Sequence, residues 1–296
     1  MFDWDDVRIF IAAARAGSLG GAATRLGIDA ATVGRRVARL ESALKSTLVV
    51  RSASGLQLTA AGAQLLQVGL EAETAMDAAG RVARPDTVAG TVRISASEGF
   101  GGVVLAPALA GLHAARPGLR IELAASSGFL SPSRREVDMA ITLSAPDGAR
   151  LIVEPLTPYQ LALYAAPAYL AARPAPETVE GLTDHEIVGY VDDLIYAPEL
   201  RYLDEVRPGL TPHLASSSIR AQRDIIAGGG GIGVLPCFLA ANPSEGDLTR
   251  VLPAVVIERR FWLSTHREVH DTARLRAVTA WVRALCVEHA GRLSPY

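Results

Sequence analysis

The sequence predicts two folded units of different class: a small α+β unit and a larger α/β unit, joined by one long helix. Three observations carry that expectation. Apolar residues recur at helical spacing from Val7 to Leu44, in three stripes separated by glycine and serine. Residues Ala60 to Arg84 contain neither proline nor a strand-like alternation. From Thr91 onward, short strand signals alternate with helical ones, the pattern of a mainly parallel sheet.

The first unit can be built residue by residue. Val7, Phe10, Ile11 and Ala14 fall at i, i+3, i+4 and i+7, and Leu19, Ala22, Ala23 and Leu26 repeat that spacing, so two amphipathic helices share a small core. Ser18 is placed to cap the second helix, and Gly27 permits the tight connection of a helix-turn-helix. Asp29 can cap a third helix with Val33, Val37, Leu40 and Leu44 as its buried stripe. The opposite face carries Thr32, Arg35, Arg36 and Arg39, residue types that reach phosphates and base edges in a DNA major groove. The competing reading is a solvated basic face on an ordinary three-helix unit. Leu48 to Arg51 and Leu56 to Leu58 alternate around Ser52-Ala53-Ser54-Gly55, a hairpin signal, and LTAAGAQLL then opens another helix. Trp4 to Leu66 therefore reads as a winged helix-turn-helix, with Arg51 on the wing.

Composition fits this plan. A chain of 296 residues with 49% hydrophobic content can bury substantial cores in about two domains. Residues 1–66 hold eight Lys or Arg against five Asp or Glu, a balance of +3, while the whole chain is −2. That suits DNA binding by one module better than general coating of nucleic acid. Asp3, Asp5 and Asp6 stand where a secretory signal needs positive charge, and no run reads as long enough to span a membrane. Cys237 and Cys286 show no CxxC spacing, so a cytoplasmic, reducing compartment is expected, with both thiols packed rather than forming a redox switch.

Taken in order, WDDVRIFIAAARAGSLGGAATRLGI, the RRVARLE run and the LTAAG after the wing resemble the N-terminal domain of LysR-type transcriptional regulators, and GTVRISASEGFG extends the resemblance over essentially the whole chain. The resemblance implies an α+β winged helix-turn-helix N-terminal domain (1–59), a linker and dimerisation helix (60–84), and an α/β periplasmic-binding-protein-like (type 2) effector domain of two subdomains (85–296). Subdomain I would span about 91–160 and 267–292, and subdomain II about 161–266, with the chain crossing near Gln160 to Ala165 and returning near Leu263 to Glu268. The final helix, Asp271 to His289, would pack back on subdomain I. The implied function is binding of double-stranded operator DNA by a bacterial homo-oligomer, modulated by a small-molecule effector, without enzymatic activity, cofactor or metal. RNA polymerase is a further candidate partner. Leu65, Ala72, Met76 and Ala79 lie near one face of the linker helix, where Gly69 would let a partner helix approach.

This chain also departs from the family pattern. Asp29-Ala30-Ala31 opens the recognition helix where Ser-Gln-Pro is common, and Gly34 stands where serine is usual, so several polar DNA contacts are missing. Thr142 replaces a frequent arginine, which favours a neutral or aromatic effector over an anion.

The effector would sit where strand ends meet helix N-termini. Ser97, Glu98, Gly99 and Phe100 follow the first strand of the α/β unit; Ser126, Ser127 and Phe129 end the second; Thr142 ends the third; Ser216, Ser217 and Ser218 precede a helix of subdomain II. Turn-capping serines look the same in sequence. Glu98 can accept from a cationic ligand or complement its own helix N-terminus. Tyr196 and Tyr202 are candidates for an apolar wall. Enzymatic motifs are weak: Gly228 to Gly233 follows a helix and enters a strand, the reverse of a dinucleotide fingerprint. HREVH at His266 to His270 lacks the HExxH pattern and reads as a strand end. Asp192-Asp193 reads as a solvated turn. The alternatives kept open are a solute-binding or enzymatic α/β protein with a non-DNA interaction module, and a regulator with a vestigial cleft.

Overall fold

Asp3, Ser18 and Asp29 each open a helix by accepting a hydrogen bond from a backbone N–H two or three residues on, those of Asp5, Gly21 and Thr32. The helices are α1 (Trp4–Ala16), α2 (Leu19–Leu26) and α3 (Ala30–Leu44). Gly17 and Gly27 end the first two at φ of 61° and 68°, a left-handed conformation that costs glycine least. Their apolar stripes meet in a core of Val7, Phe10, Ile11, Ala22, Val33, Val37 and Leu40. Strands β1 (Val49–Ser52) and β2 (Gly55–Leu58) pair antiparallel, Arg51 opposite Leu56.

Two local devices hold this wing. The Glu41 carboxylate of α3 accepts from the backbone N–H groups of Leu48 and Val49 at 2.7 and 3.1 Å, and Leu56 N–H donates to the Gly17 carbonyl at 2.8 Å. Thr59 Oγ1 donates to the Thr47 carbonyl and accepts from Gly62 N–H, opening α4 (Ala60–Val82). A Cβ on Gly62 would lie 2.0 Å from the Leu48 carbonyl oxygen, so LTAAG is needed by the hairpin-to-helix junction. Gly69 proves to serve the same chain rather than a partner: a Cβ there would meet Ile11 and Val7 of α1 at 3.1 and 3.2 Å. Arg15 of α1 pairs with Glu73 of α4 at 2.9 Å.

The computed structural model describes residues 2–52, 55–82, 88–126, 130–134, 136–241 and 248–296, and the chain divides into units Met1–Asp86 and Thr87–Tyr296. The expected domain boundary after residue 84 lies outside the described residues. In the second unit the elements are β3 (Gly90–Ser97), α5 (Glu98–Ala115), β4 (Leu119–Ser126), β5 (Met139–Thr142), β6 (Leu151–Ala165), β7 (Ile187–Gly189), β8 (Leu214–Ala215), α6 (Ile219–Ala227), β9 (Ile232–Pro236), β10 (Thr249–Val251), β11 (Ile257–His266) and α7 (Ala273–Glu288), with short helical turns between. The sheet order is β4-β3-β5-β11-β6-β9-β7-β8, with β10 on β6. Two parallel groups, β4-β3-β5 and β9-β7-β8, therefore flank a long antiparallel pair, β6 with β11.

That pair corrects the expected crossing points. Leu151 to Pro155 of β6 and Trp262 to His266 of β11 belong with the first group, while Leu161 to Tyr164 pairs with β9. The passages lie near 156–160 and 257–261, the return several residues earlier than expected. Pro155 and Pro158 lack the backbone donor a strand ladder uses. Pro155 in fact stands opposite Trp262, where a register shift between Phe261 and Trp262 interrupts the ladder.

Helix α5 is long and apolar enough to cross a membrane by length and composition, contrary to the sequence expectation, with a mean hydropathy of 1.2. One face of it packs into the core: Phe100, Val103, Val104, Leu105 and Leu112 are buried, and Gly101 packs so closely that a Cβ would lie 2.6 Å from Ala125 Cβ. Helix α7 packs on β3 and β6 through Leu275, Val278, Val282 and Leu285. His266 ends β11, whereas Arg267–His270 forms a helical turn instead of continuing the strand, with His270 Nδ1 2.9 Å from Thr265 Oγ1.

Candidate functional site

The face of α3 opposite its buried stripe divides into two groups. Thr32 donates its hydroxyl to Asp29 at 2.6 Å and accepts from Arg35 Nη2 at 2.7 Å, forming an outer chain at the start of the helix. Hydrogen bonds from the Thr32 hydroxyl and backbone hold the Asp29 carboxyl below its ordinary value. Arg36 Nη1 reaches Asp6 Oδ1 at 3.0 Å, and Arg39 grips the same carboxylate through Nε at 2.5 Å and Nη2 at 2.7 Å. Asp6 is only 2% exposed. Burial raises its pKa, but the hydrogen bonds and charges of Arg39 and Arg36 outweigh burial and leave it below the ordinary value. Arg39 also reaches Asp3 at 3.2 Å. Thus Arg36 and Arg39 brace the recognition helix against α1, while Thr32 and Arg35 stand at its outer end.

In the second unit, the ends of β3 and β5 and the start of α6 surround a narrow aromatic cavity with about 30 Å³ of free space. Ser97, Glu98, Gly99, Phe100 and Leu143 line it from the first sheet group, and Tyr190, Tyr202, Ile219 and Phe238 from the second. Tyr159 and Phe261 come from the crossing strands, stacked with ring centroids 4.1 Å apart; Phe100 lies 4.6 Å from Phe261. Burial pushes the Tyr159, Tyr190 and Tyr202 phenols well above their ordinary value and Tyr196 up to about 12, with the charge of Glu98 adding to the last. All four therefore remain protonated donors at neutral pH. Glu98 spans the cavity: its carboxylate accepts from Ser218 Oγ at 2.8 Å and from Ile219 N–H at 3.2 Å, at the N-terminus of α6.

A winged three-helix unit followed by a two-group α/β unit with a cavity between the groups is matched by family descriptions along the chain. Residues 4–63 match the bacterial regulatory helix-turn-helix protein, lysR family, and residues 85–287 match the LysR substrate binding domain. The chain belongs to the LysR family of transcriptional regulators. It is 29% identical over 289 residues to the Mau operon transcriptional activator of Paracoccus denitrificans, covering 97% of each chain. It is 28% identical over 301 residues to the transcriptional activator TtdR of Escherichia coli, covering 97% and 94%. Among solved structures, CrgA, a LysR-type regulator from Neisseria meningitidis, aligns with a TM-score of 0.59 at 25% identity over 96% of this chain and 99% of that one. A full-length OxyR variant from Pseudomonas aeruginosa shares the fold, with a TM-score of 0.69 at 20% identity over 97% and 95%.

Against this LysR framework the sequence-predicted effector residues separate. Ser97, Glu98, Gly99 and Phe100 line the cavity together, and Tyr196 and Tyr202 join them. Thr142 does not: its hydroxyl donates to the Ser144 carbonyl at 2.7 Å, closing a local turn, and Leu143 faces the cavity instead. Ser126 is exposed at the end of β4, away from the described lining. Ser216 and Ser217 also lie off the lining; Ser216 Oγ accepts from Ser218 N–H at 3.2 Å, a turn role, and the cross-cavity contact falls to Ser218. Ser127 and Phe129 lie outside the described residues, as does the side chain of Arg51. Glu98 complements the N-terminus of α6, across the cavity, rather than that of its own helix. Sequence reasoning missed Asp6, Tyr159, Phe238 and Phe261, whose roles depend on packing between segments far apart in the chain.

Proposed function

We propose that Thr32 and Arg35 at the outer end of α3, with Arg51 on the wing, contact operator DNA, and that the aromatic cavity binds the small-molecule effector. The supporting observation is that the cavity is lined from both parallel sheet groups and from the strands joining them. A ligand there has different contacts in an open and a closed arrangement of the two groups, and that difference in affinity is what shifts the equilibrium. Arg36 and Arg39 act mainly by fixing the tilt of the recognition helix, with their outer faces toward phosphates.

The regulatory reading extends to assembly. A homo-oligomer formed along α4 places two recognition helices on one duplex, with half-sites about one helical turn or a multiple apart. Val68 and Met76 of α4 are exposed, 61% and 58%, and supply apolar surface for that pairing. We place the winged unit at 1–59, the linker helix at 60–84 and the effector domain from 85, in a cytoplasmic protein that binds rather than transforms its effector and acts on RNA polymerase. The test is to incubate the full chain with fragmented genomic DNA from its own source at physiological salt, then recover and sequence what stays bound. A few enriched sites with paired half-sites are expected. Uniform or absent recovery, with and without added cell metabolites, would overturn the reading.

A further inference from the structure

Asp29, Thr32 and Arg35 follow one another at intervals of three residues along the outer end of α3, and Ala30, Ala31, Val33 and Gly34 bring no other polar side chain to the stretch. Their hydrogen bonds run in one direction. Arg35 Nη2 donates to Thr32 Oγ1 at 2.7 Å, and that hydroxyl donates its proton to Asp29 Oδ2 at 2.6 Å. The other carboxylate oxygen, Oδ1, accepts from Thr32 N–H at 2.7 Å, so two bonds to one residue fix Asp29 over the first turn. A hydroxyl that donates to a carboxylate is polarised and becomes a stronger acceptor. Arg35 is exposed and uses one N–H donor on Thr32, which leaves the rest of its fork for a further partner.

Two opposed effects follow from a carboxylate at this position. An exposed arginine loses rotamer freedom when it binds, which opposes recognition, and one tied down in advance has less to lose. The bidentate fit of arginine to guanine depends on the plane of its fork, so it gains most from that anchoring. Against this, a negative charge beside DNA repels phosphates whatever the sequence.

Resting on the reading above that Arg35 contacts operator DNA, we propose that Asp29 is a positioning residue for sequence discrimination. It acts through the Thr32 hydroxyl to aim Arg35 at a guanine, while its charge lowers affinity for all duplexes alike. The exchange is selectivity gained for general attraction lost. With Asp6 holding Arg36 and Arg39, each arginine of α3 is then tied to a carboxylate, directly or through one hydroxyl.

The test selects bound duplexes from a randomised DNA library with the full-length protein and three variants, and measures the affinity of each for mixed-sequence duplex. The wild type is expected to select guanine at one position of each half-site about tenfold or more over the other bases, and Arg35→Ala to lose that preference. Asp29→Ser keeps a good helix cap without the second oxygen or the charge, and Thr32→Val removes the hydroxyl without touching the cap. Both should cut the preference at that same position about threefold or more with melting unchanged. Asp29→Ser should also bind mixed-sequence duplex about twofold or more tighter, whereas Thr32→Val should not. A merely structural Asp29 would instead lower melting and weaken binding to every duplex. An unaltered preference at the Arg35 position in Asp29→Ser or Thr32→Val, or weaker binding of mixed-sequence duplex by Asp29→Ser, would overturn the proposal and leave the Arg35 reading standing. Should Asp29→Ser fail to fold, Thr32→Val alone decides. If Arg35→Ala keeps the wild-type preference, the Arg35 reading fails and the proposal falls with it.

Discussion

Replacing Asp6 by asparagine isolates the clamp that sets the recognition helix. The wild-type carboxylate, 2% exposed, receives three charge-assisted hydrogen bonds at 3.0, 2.5 and 2.7 Å from Arg36 and Arg39. Asparagine keeps the size and one acceptor but loses the charge and the second acceptor. A bond to a charged group contributes about 1.5–3 kcal/mol when well shielded, and the arginines are partly exposed, so solvent screening reduces the total for Asp6 to about 1–3 kcal/mol. In a unit of this size that lowers its melting transition by roughly 5–20 °C. The pH dependence has a definite sign. The folded-state pKa of Asp6 lies below the ordinary 3.8, so the stabilisation is complete above that value and is lost as pH falls through the depressed one. The melting gap between wild type and Asp6→Asn should therefore be full at pH 7 and close below about pH 4. Circular dichroism of the full chain across pH measures this. Freed arginines should also steepen the salt dependence of DNA binding, by about 0.9 in slope for each one that takes a phosphate. Equal melting at pH 7, or a gap that persists undiminished in acid, would refute the reasoning.

Arg35→Ala should weaken operator binding by about 1–3 kcal/mol with relaxed preference at one base pair, read by fluorescence anisotropy; unchanged binding would remove it from the interface. Arg36→Ala, by contrast, should lower the melting of the first unit before it alters sequence preference. Gly62→Ala drives a methyl group to 2.0 Å from the Leu48 carbonyl oxygen and should destabilise the first unit by about 2–4 kcal/mol, seen as a shift of one calorimetric transition and not the other. Cys237 and Cys286 are buried, and burial raises both thiols, Cys286 to about 12. Iodoacetamide at pH 8 should therefore label the native protein slowly and the denatured protein fast; rapid native labelling would restore the redox-switch reading.

Local chemistry was open to reading because it acts within a few residues. The caps at Ser18 and Asp29 and the glycine turn at Gly27 each declare themselves by residue type and position, and the structure shows the same contacts. The helical stripe from Val33 to Leu40 is legible for the same reason, since period and burial coincide on an amphipathic helix. Ser97 to Phe100 could be placed beside a cavity because a strand end followed by a helix start is a recurrent binding position. The long crossing strands were not legible. Their prolines and charged residues break the alternation that marks a strand, and only the pairing of β6 with β11 reveals them.

The sequence by itself therefore determined the helix-turn-helix, the wing, the alternation of shorter strands with helices, and the resemblance that named the family. Tertiary structure alone decided which of four polar residues on α3 are engaged by Asp6, which chain Gly69 serves, and where the charge of Glu98 goes. Asp6 and Arg39 are 33 residues apart, and Glu98 and Ser218 are 120 apart. A carboxylate's role depends on which partner the fold brings within about 3 Å of it, and no local pattern of residue types records that distance.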